Sequence, residues 1–256
     1  MKGILQYGVN MENRFKAEEA GRYDDVIRRR VPLYNEIQTL IVSLLPFSRK
    51  EYLRVLDLGC GTGGTSVALL KEFPLARVTG IDSSSDMLDA AAAKVKHTTW
   101  RIDFVCQDIR VVSGQWPVVR DEGEFDVIIS AFSLHYLTED EKKALFSKCY
   151  DALKPGGIFI DAEAVISPFA NVYQLYMEKW KEFQFSNGFS EDETGAQMLK
   201  FVRDVKPLTV ERQLGLMSDA GFADVECYFK YLNWAVFGGY KQGQGMPCPC
   251  SHAAHL

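Results

Sequence analysis

An α/β fold with a mostly parallel sheet is predicted by three observations. A short apolar strand at 55–58 runs into the glycine turn Gly59-Cys-Gly-Thr-Gly-Gly64, and a helical stretch follows at once over 65–73. From residue 52 to about 164 strand and helix patterns alternate, the arrangement that wraps helices over both faces of a parallel sheet. Acids stand at the ends of the first three strands, as Asp57, Asp82 and Asp108, where open α/β sheets bind their ligands.

The expected strands are 54–58, 77–82, 102–107, 126–131 and 157–164, and the expected helices are 65–73, 84–95 and 139–153. Pro74 stops the first helix, Asp82-Ser-Ser-Ser85 supplies caps for the second, and Met87, Leu88, Ala91 and Val95 form its buried stripe. Lys154-Pro-Gly-Gly157 breaks the chain before the fifth strand. Residues 1–50 read as two helices around Val31-Pro-Leu-Tyr34, a helical lid ahead of the sheet. The aromatic-rich stretch 166–208 reads as an insertion. A helix capped by Thr209 then returns the chain, and 225–231 with 234–238 form a final strand pair. The main domain is expected over 51–241, with 242–256 as a tail.

Composition bounds the rest. The chain has 256 residues, 47% hydrophobic and 25% charged, which suits one soluble globular domain carrying an insertion. No apolar run approaches the roughly 20 residues of a membrane span, and the first ten residues lack a signal-peptide pattern, so a cytoplasmic protein is expected. A net charge of −5 argues against a broad nucleic-acid footprint. The basic run Arg28-Arg-Arg30 reads as a solvated helix face. Cys60, Cys106, Cys149 and Cys227 sit singly in apolar segments as small core residues. Cys248 and Cys250, with His252 and His255, read either as a chain end without fixed structure or as a soft-ligand metal site. The first is the expectation, and nothing marks a metal site in the core.

The glycine loop alone also matches the dinucleotide fingerprint, while a phosphate loop is excluded because no Gly-Lys-Ser/Thr follows. An acid two residues before Gly-x-Gly-x-Gly, followed by the Asp82 and Asp108 series, resembles the class I S-adenosylmethionine (SAM)-dependent methyltransferases. That resemblance implies a Rossmann-like, seven-stranded sheet whose last strand is antiparallel. It implies SAM as cofactor and S-adenosyl-L-homocysteine as product. The cofactor would lie on Asp57, Gly59, Cys60, Gly61 and Gly63, with Asp82 on the ribose and Ser83 and Met87 beside it. Asp108 and Ile109 would meet the adenine, and Ala131 and Phe132 would follow strand four.

The matching stretches extend further. Arg30-Val-Pro-Leu-Tyr34, Gln107-Asp-Ile-Arg110, Phe132-Ser-Leu-His-Tyr136, Asn187-Gly-Phe-Ser190 and Ala220-Gly-Phe222 resemble the branch of the class that includes the carboxy-SAM synthases of transfer-RNA wobble modification. By that resemblance Tyr34 reaches the cofactor from the lid. The chain departs from the branch at two points. Ungapped placement puts Met198 where the synthases carry a carboxylate-holding arginine, with Arg203 nearby but offset, and Ala131 replaces an asparagine. Without a fork-shaped donor a carboxylate is poorly held, which favours ordinary SAM.

The reading is therefore a methyltransferase acting on a small, partly apolar acceptor, with a carboxy-SAM-synthase-like enzyme and a non-catalytic SAM-binding protein as alternatives and an NAD enzyme as a distant fourth. His135, three residues past Phe132, is the candidate general base; a structural histidine before the 139–153 helix is the competing reading. Tyr173, Tyr176, Trp180 and Phe183 recur at helical spacing. That stripe either packs on the core or lines the acceptor site. His135, Tyr136, Tyr173, Tyr176 and Trp180 are the expected acceptor contacts. The insertion has no cluster of lysine or arginine, which argues against a phosphorylated or polymeric acceptor. The expected partners are a small molecule, neither nucleic acid nor membrane, and in the assembly a second copy of the chain.

Overall fold

The computed structural model describes residues 4–6, 17–110 and 125–243. The Cys248, Cys250, His252 and His255 tail lies outside the described residues. The core is seven strands: β2 (Arg54–Leu58), β3 (Arg77–Asp82), β4 (Arg101–Cys106), β5 (Phe125–Ala131), β6 (Leu153–Ile166), β8 (Ala223–Tyr231) and β9 (Trp234–Tyr240). Their order is β4-β3-β2-β5-β6-β9-β8, parallel except for β9, which runs antiparallel between β6 and β8. This is the expected sheet, with two additions. A three-residue strand β1 (Ile4–Gln6) pairs parallel with β4 at the open edge, and β7 (Leu208–Thr209) pairs with the end of β6. Segments of three and two residues are too short to carry the alternation from which strands are read.

The fifth expected strand begins earlier than expected. Pairing with β5 jumps from Phe125↔Leu153 to Val127↔Ile158, so Lys154-Pro-Gly-Gly157 is a bulge within β6 rather than a break before it.

Buried residues lie on both sheet faces. On one, α2 (Tyr34–Ser43), α3 (Gly64–Glu72) and α4 (Ser85–Val95) bury Ile37, Ile41, Leu69, Leu88 and Ala91 against Val55, Val78 and Ile160. On the other, α5 (Glu139–Ala152) and α8 (Val210–Asp219) bury Phe146 and Met217 against Leu56, Ile128 and Phe159. The predicted caps form. The Ser84 hydroxyl accepts the Met87 N–H, and the Thr209 hydroxyl accepts that of Arg212. Thr138 and Glu141 close a reciprocal box at the start of α5.

The lid is α1 (Ala17–Arg30) with α2, and the insertion is a helical hairpin, α6 (Ala170–Ser186) and α7 (Glu191–Asp204). Arg28-Arg-Arg30 is not simply a solvated face. The Arg29 and Arg30 guanidiniums lie over the Phe189 ring, at 4.7 and 4.8 Å from its centroid, and Arg30 also bonds the Gln197 side chain. The run therefore ties the lid to the insertion. No helix among the described residues is long and apolar enough to cross a membrane.

Candidate functional site

The strand β2 ends in a loop that only glycine can build. Gly59, Gly61 and Gly63 have φ of 67°, 52° and 76°, a region that side chains avoid. At Gly59 a Cβ would also stand 1.8 Å from the Ser133 Oγ. Gly61 instead faces open space, with nothing within 4 Å of its Cβ position, and lines a cleft. Gly63 turns the chain into α3 and packs toward Ala91, so it shapes the loop without lining the cleft.

Asp57, Cys60, Asp82, Met87, Ala131, Phe132 and Tyr34 line the same cleft. The Asp82 carboxylate accepts the main-chain N–H groups of Gly61 and Ser84, both at 2.9 Å, which fixes the loop against β3. Asp82 lines the cleft, where its carboxylate oxygens can also accept a ligand hydroxyl. Beyond Asp82 the cleft continues to Ser83, Asp108 and Ile109. Asp108 accepts from the Arg110 Nε at 2.8 Å and from its main-chain N–H at 2.9 Å. Acceptor carboxylates of this kind suit the hydroxyls and amino group of an adenosyl moiety, and all the expected cofactor residues but Gly63 line this connected cleft.

Asp57 is fully buried and accepts the Ser66 hydroxyl at 2.5 Å. Burial raises its carboxyl to about 7, opposed by Ser66 and reinforced by Asp82. The folded-state value lies above the unfolded one. Between pH 4 and 7 the folded form therefore keeps a proton that the unfolded form loses, and stability falls as pH rises through that window. Asp57→Asn, which cannot ionise, is expected to flatten that part of the stability–pH curve by on the order of a few kcal/mol. Urea unfolding at pH 5 and pH 8 measures it, and parallel curves for the two proteins would refute the assignment.

A second cavity, of about 460 Å³, adjoins the first. The two share three residues, Tyr23, Phe132 and Tyr136. Phe132 is held at φ 59° and stacks on Tyr34, with ring centroids 5.1 Å apart. Its N–H donates to the Ala162 carbonyl at 2.7 Å. Trp180, Phe201 and Trp234 form the apolar wall in edge-to-face contact, 4.8 to 6.3 Å between centroids, and the Trp180 Nε1–H donates to the Arg30 carbonyl at 2.6 Å. His135 lines this chamber, buried, its Nδ1 3.5 Å from the Ala164 N–H that it accepts.

Of the five expected acceptor contacts, His135, Tyr136 and Trp180 line the chamber and Tyr173 and Tyr176 do not. The two tyrosines lie one to two turns earlier on α6, about 6 and 10 Å along its axis from Trp180. Tyr176 is instead taken by Lys230 on β8, whose ammonium sits 4.4 Å from the ring centroid.

The chamber also gathers Arg22, Arg30 and Lys200 against Asp204. The insertion carries no basic cluster, but α1 and α7 assemble one in space. Sequence reasoning missed these residues, and also Tyr23 on α1 and Gln38 on α2 in the cleft, because the packing of α1 against α7 and of α1 and α2 against the glycine loop is a tertiary fact. Asp24 makes the loop contact: it accepts the Thr62 hydroxyl at 2.6 Å and pairs with Lys94.

Residues 55–157 match the model of a family described as a methyltransferase domain. The carboxy-SAM synthase of Nitratiruptor is 30% identical over 235 residues, covering 91% of this chain and 95% of the relative. The chain belongs to the class I SAM-dependent methyltransferases, in the branch that holds the carboxy-SAM synthases. The synthase of Helicobacter hepaticus is 28% identical over 238 residues, covering 91% of this chain and 96% of that one. Among solved structures, a Haemonchus contortus phosphoethanolamine N-methyltransferase in complex with SAM matches with a TM-score of 0.62 at 18% identity, over 89% of this chain and 57% of its own. Human N-acetylserotonin methyltransferase with SAM matches at 0.57 and 19%, over 89% and 57%. The chain thus spans little more than half the length of these two structures, and the likeness is one of fold. As a member of this class the protein uses SAM as its cofactor, and the class I architecture explains why the acids at 57, 82 and 108 end successive strands.

Proposed function

We propose that this protein transfers a methyl group from SAM to a small, partly apolar acceptor held in the chamber beside Phe132. The observation that carries this reading is the shared wall: Tyr23, Phe132 and Tyr136 belong to both the cofactor cleft and a separate 460 Å³ chamber. A volume of that order suits a small-molecule site.

When bound, SAM supplies a methyl group on a sulfonium, already activated for transfer. The residues of this chain would then bind, align and keep water out. The loop at 59–63, Asp82, Asp108 and Ile109 would hold the adenosyl group, and Tyr34 and Phe132 would fix the position of the methyl. Trp180, Phe201 and Trp234 would hold the apolar part of the acceptor in line. Alignment of this kind supplies roughly 7–11 kcal/mol of barrier reduction. Because the His135 Nδ1 accepts the Ala164 N–H, its neutral form carries the proton on Nε2. In that form the ring orients an acceptor as a donor, and it takes a proton only by giving up the Ala164 bond.

A second reading is supported by the relatives named carboxy-SAM synthase and by Arg22, Arg30 and Lys200 in the chamber, which could hold an anion although Met198 replaces the expected arginine. Mass spectrometry of the ligand carried by the freshly purified protein separates the two. SAM or S-adenosylhomocysteine is the expected mass. A carboxy-SAM mass would overturn methyl transfer and move the reaction to modification of the cofactor itself.

A further inference from the structure

Lys142 on α5 and Glu163 on β6 are both completely buried, with Nζ and Oε1 2.6 Å apart, and the Gln213 side chain on α8 donates to the same oxygen. Asp161, two residues earlier on the strand, is equally buried on that face. Elsewhere on this face β6 is apolar, as at Phe159 and Val165. An ion pair in such a place gains little over well-packed apolar residues, so its position calls for another reason.

The neighbours on β6 give one. The chain alternates, so Ala162 and Ala164 face the opposite side, in the apolar cluster that holds Phe132, Trp180 and Trp234. The Ala162 carbonyl accepts the Phe132 N–H, and the Ala164 N–H donates to His135. Ala164 is also the register partner of Trp234 on β9. Glu163 thus sits between the two residues whose main chain carries Phe132 and His135. We infer that the Lys142–Glu163–Gln213 network is a positioning device for the transfer site: it clamps residues 162–164 from behind and so sets Phe132 and His135. The inference rests on the reading of Phe132 and His135 as the wall of the acceptor chamber. The cofactor contacts on β2, β3 and β4 lie outside this clamp, whereas Phe132 borders the cofactor cleft as well.

The test uses the full chain and needs no acceptor. Lys142→Met/Glu163→Leu removes both charges, so neither is left buried alone, and Gln213→Ala removes only the neutral donor as a milder variant. Amide exchange at Phe132 and the imidazole nitrogen signals of His135 are read by NMR, and SAM affinity by calorimetry. The expected result is roughly tenfold or faster exchange at Phe132 and displaced His135 signals. Exchange on β2 should stay within about threefold of the parent protein, and SAM binding should persist, because the contacts from β2, β3 and β4 are retained. Gln213→Ala, which leaves the ion pair intact, should move the same two signals in the same direction by less. Unmoved Phe132 and His135 signals would overturn the inference. So would equal acceleration on β2, because the network would then hold the whole sheet. Absence of SAM binding in the parent protein would instead refute the functional reading and leave the positioning result to stand on its own signals.

Discussion

Lys142→Met is expected to destabilise the protein by about 3–5 kcal/mol, the cost of leaving one member of a buried ion pair alone. Both side chains are fully buried. The Glu163 carboxyl is already pushed up by burial, and Lys142 is what pulls it down. Without the ammonium, Glu163 must take a proton to stay inside. Beside it, the Asp161 carboxyl is held well above the usual range by its burial and by the Glu163 charge, so it offers no compensation. At 2–4 °C per kcal/mol for a chain of this size, the melting temperature should fall by roughly 6–20 °C. Thermal unfolding followed by circular dichroism measures it. Restoration on adding Glu163→Leu would show that the lone carboxylate, rather than lost packing, causes the loss. A drop below about 1 kcal/mol would mean that water reaches the pair.

Asp82→Ala is expected to weaken SAM binding by about 1–3 kcal/mol, a factor of roughly 5 to 150 in Kd. Two losses combine. The carboxylate no longer accepts ligand hydroxyls, and the N–H groups of Gly61 and Ser84 lose their acceptor, so the loop that cradles the cofactor loosens. Asp82→Asn separates them: its one carbonyl oxygen serves one N–H, while its amide nitrogen faces the other. An intermediate Kd by calorimetry is the expected order. Unchanged affinity in both variants would remove Asp82 from the cofactor site.

The cofactor cleft was far more legible in the sequence than the acceptor chamber. Asp57, Gly59, Gly61, Asp82, Asp108 and Phe132 lie at or just past strand ends, so a period of two and a glycine turn place them where they can converge, and the family resemblance assigns them to the cofactor. The chamber is built by packing between distant segments. Arg22 and Lys200 line one chamber because α1 is tied to the insertion through Arg30–Gln197 and through Trp180 on the last carbonyl of α1, and a spacing pattern cannot show that. Tyr173 and Tyr176 share a helix face with Trp180, yet α6 outruns the chamber, so periodicity named the face and not the depth. The bulge at 154–157 was misread for a related reason: proline and glycine mark an interruption of a ladder, and the two strands simply close again past it.

The helix α1 is a wall of both cavities, since Tyr23 borders each and Asp24 bolts the helix to the glycine loop. With α1 seated, the cleft keeps about 70 Å³ of free space, far below the several hundred that a cofactor-sized ligand fills. A displacement of α1 would therefore open the cleft and the chamber together. The cleft and the chamber are in this sense two rooms under one roof, and whatever moves that roof is felt in both.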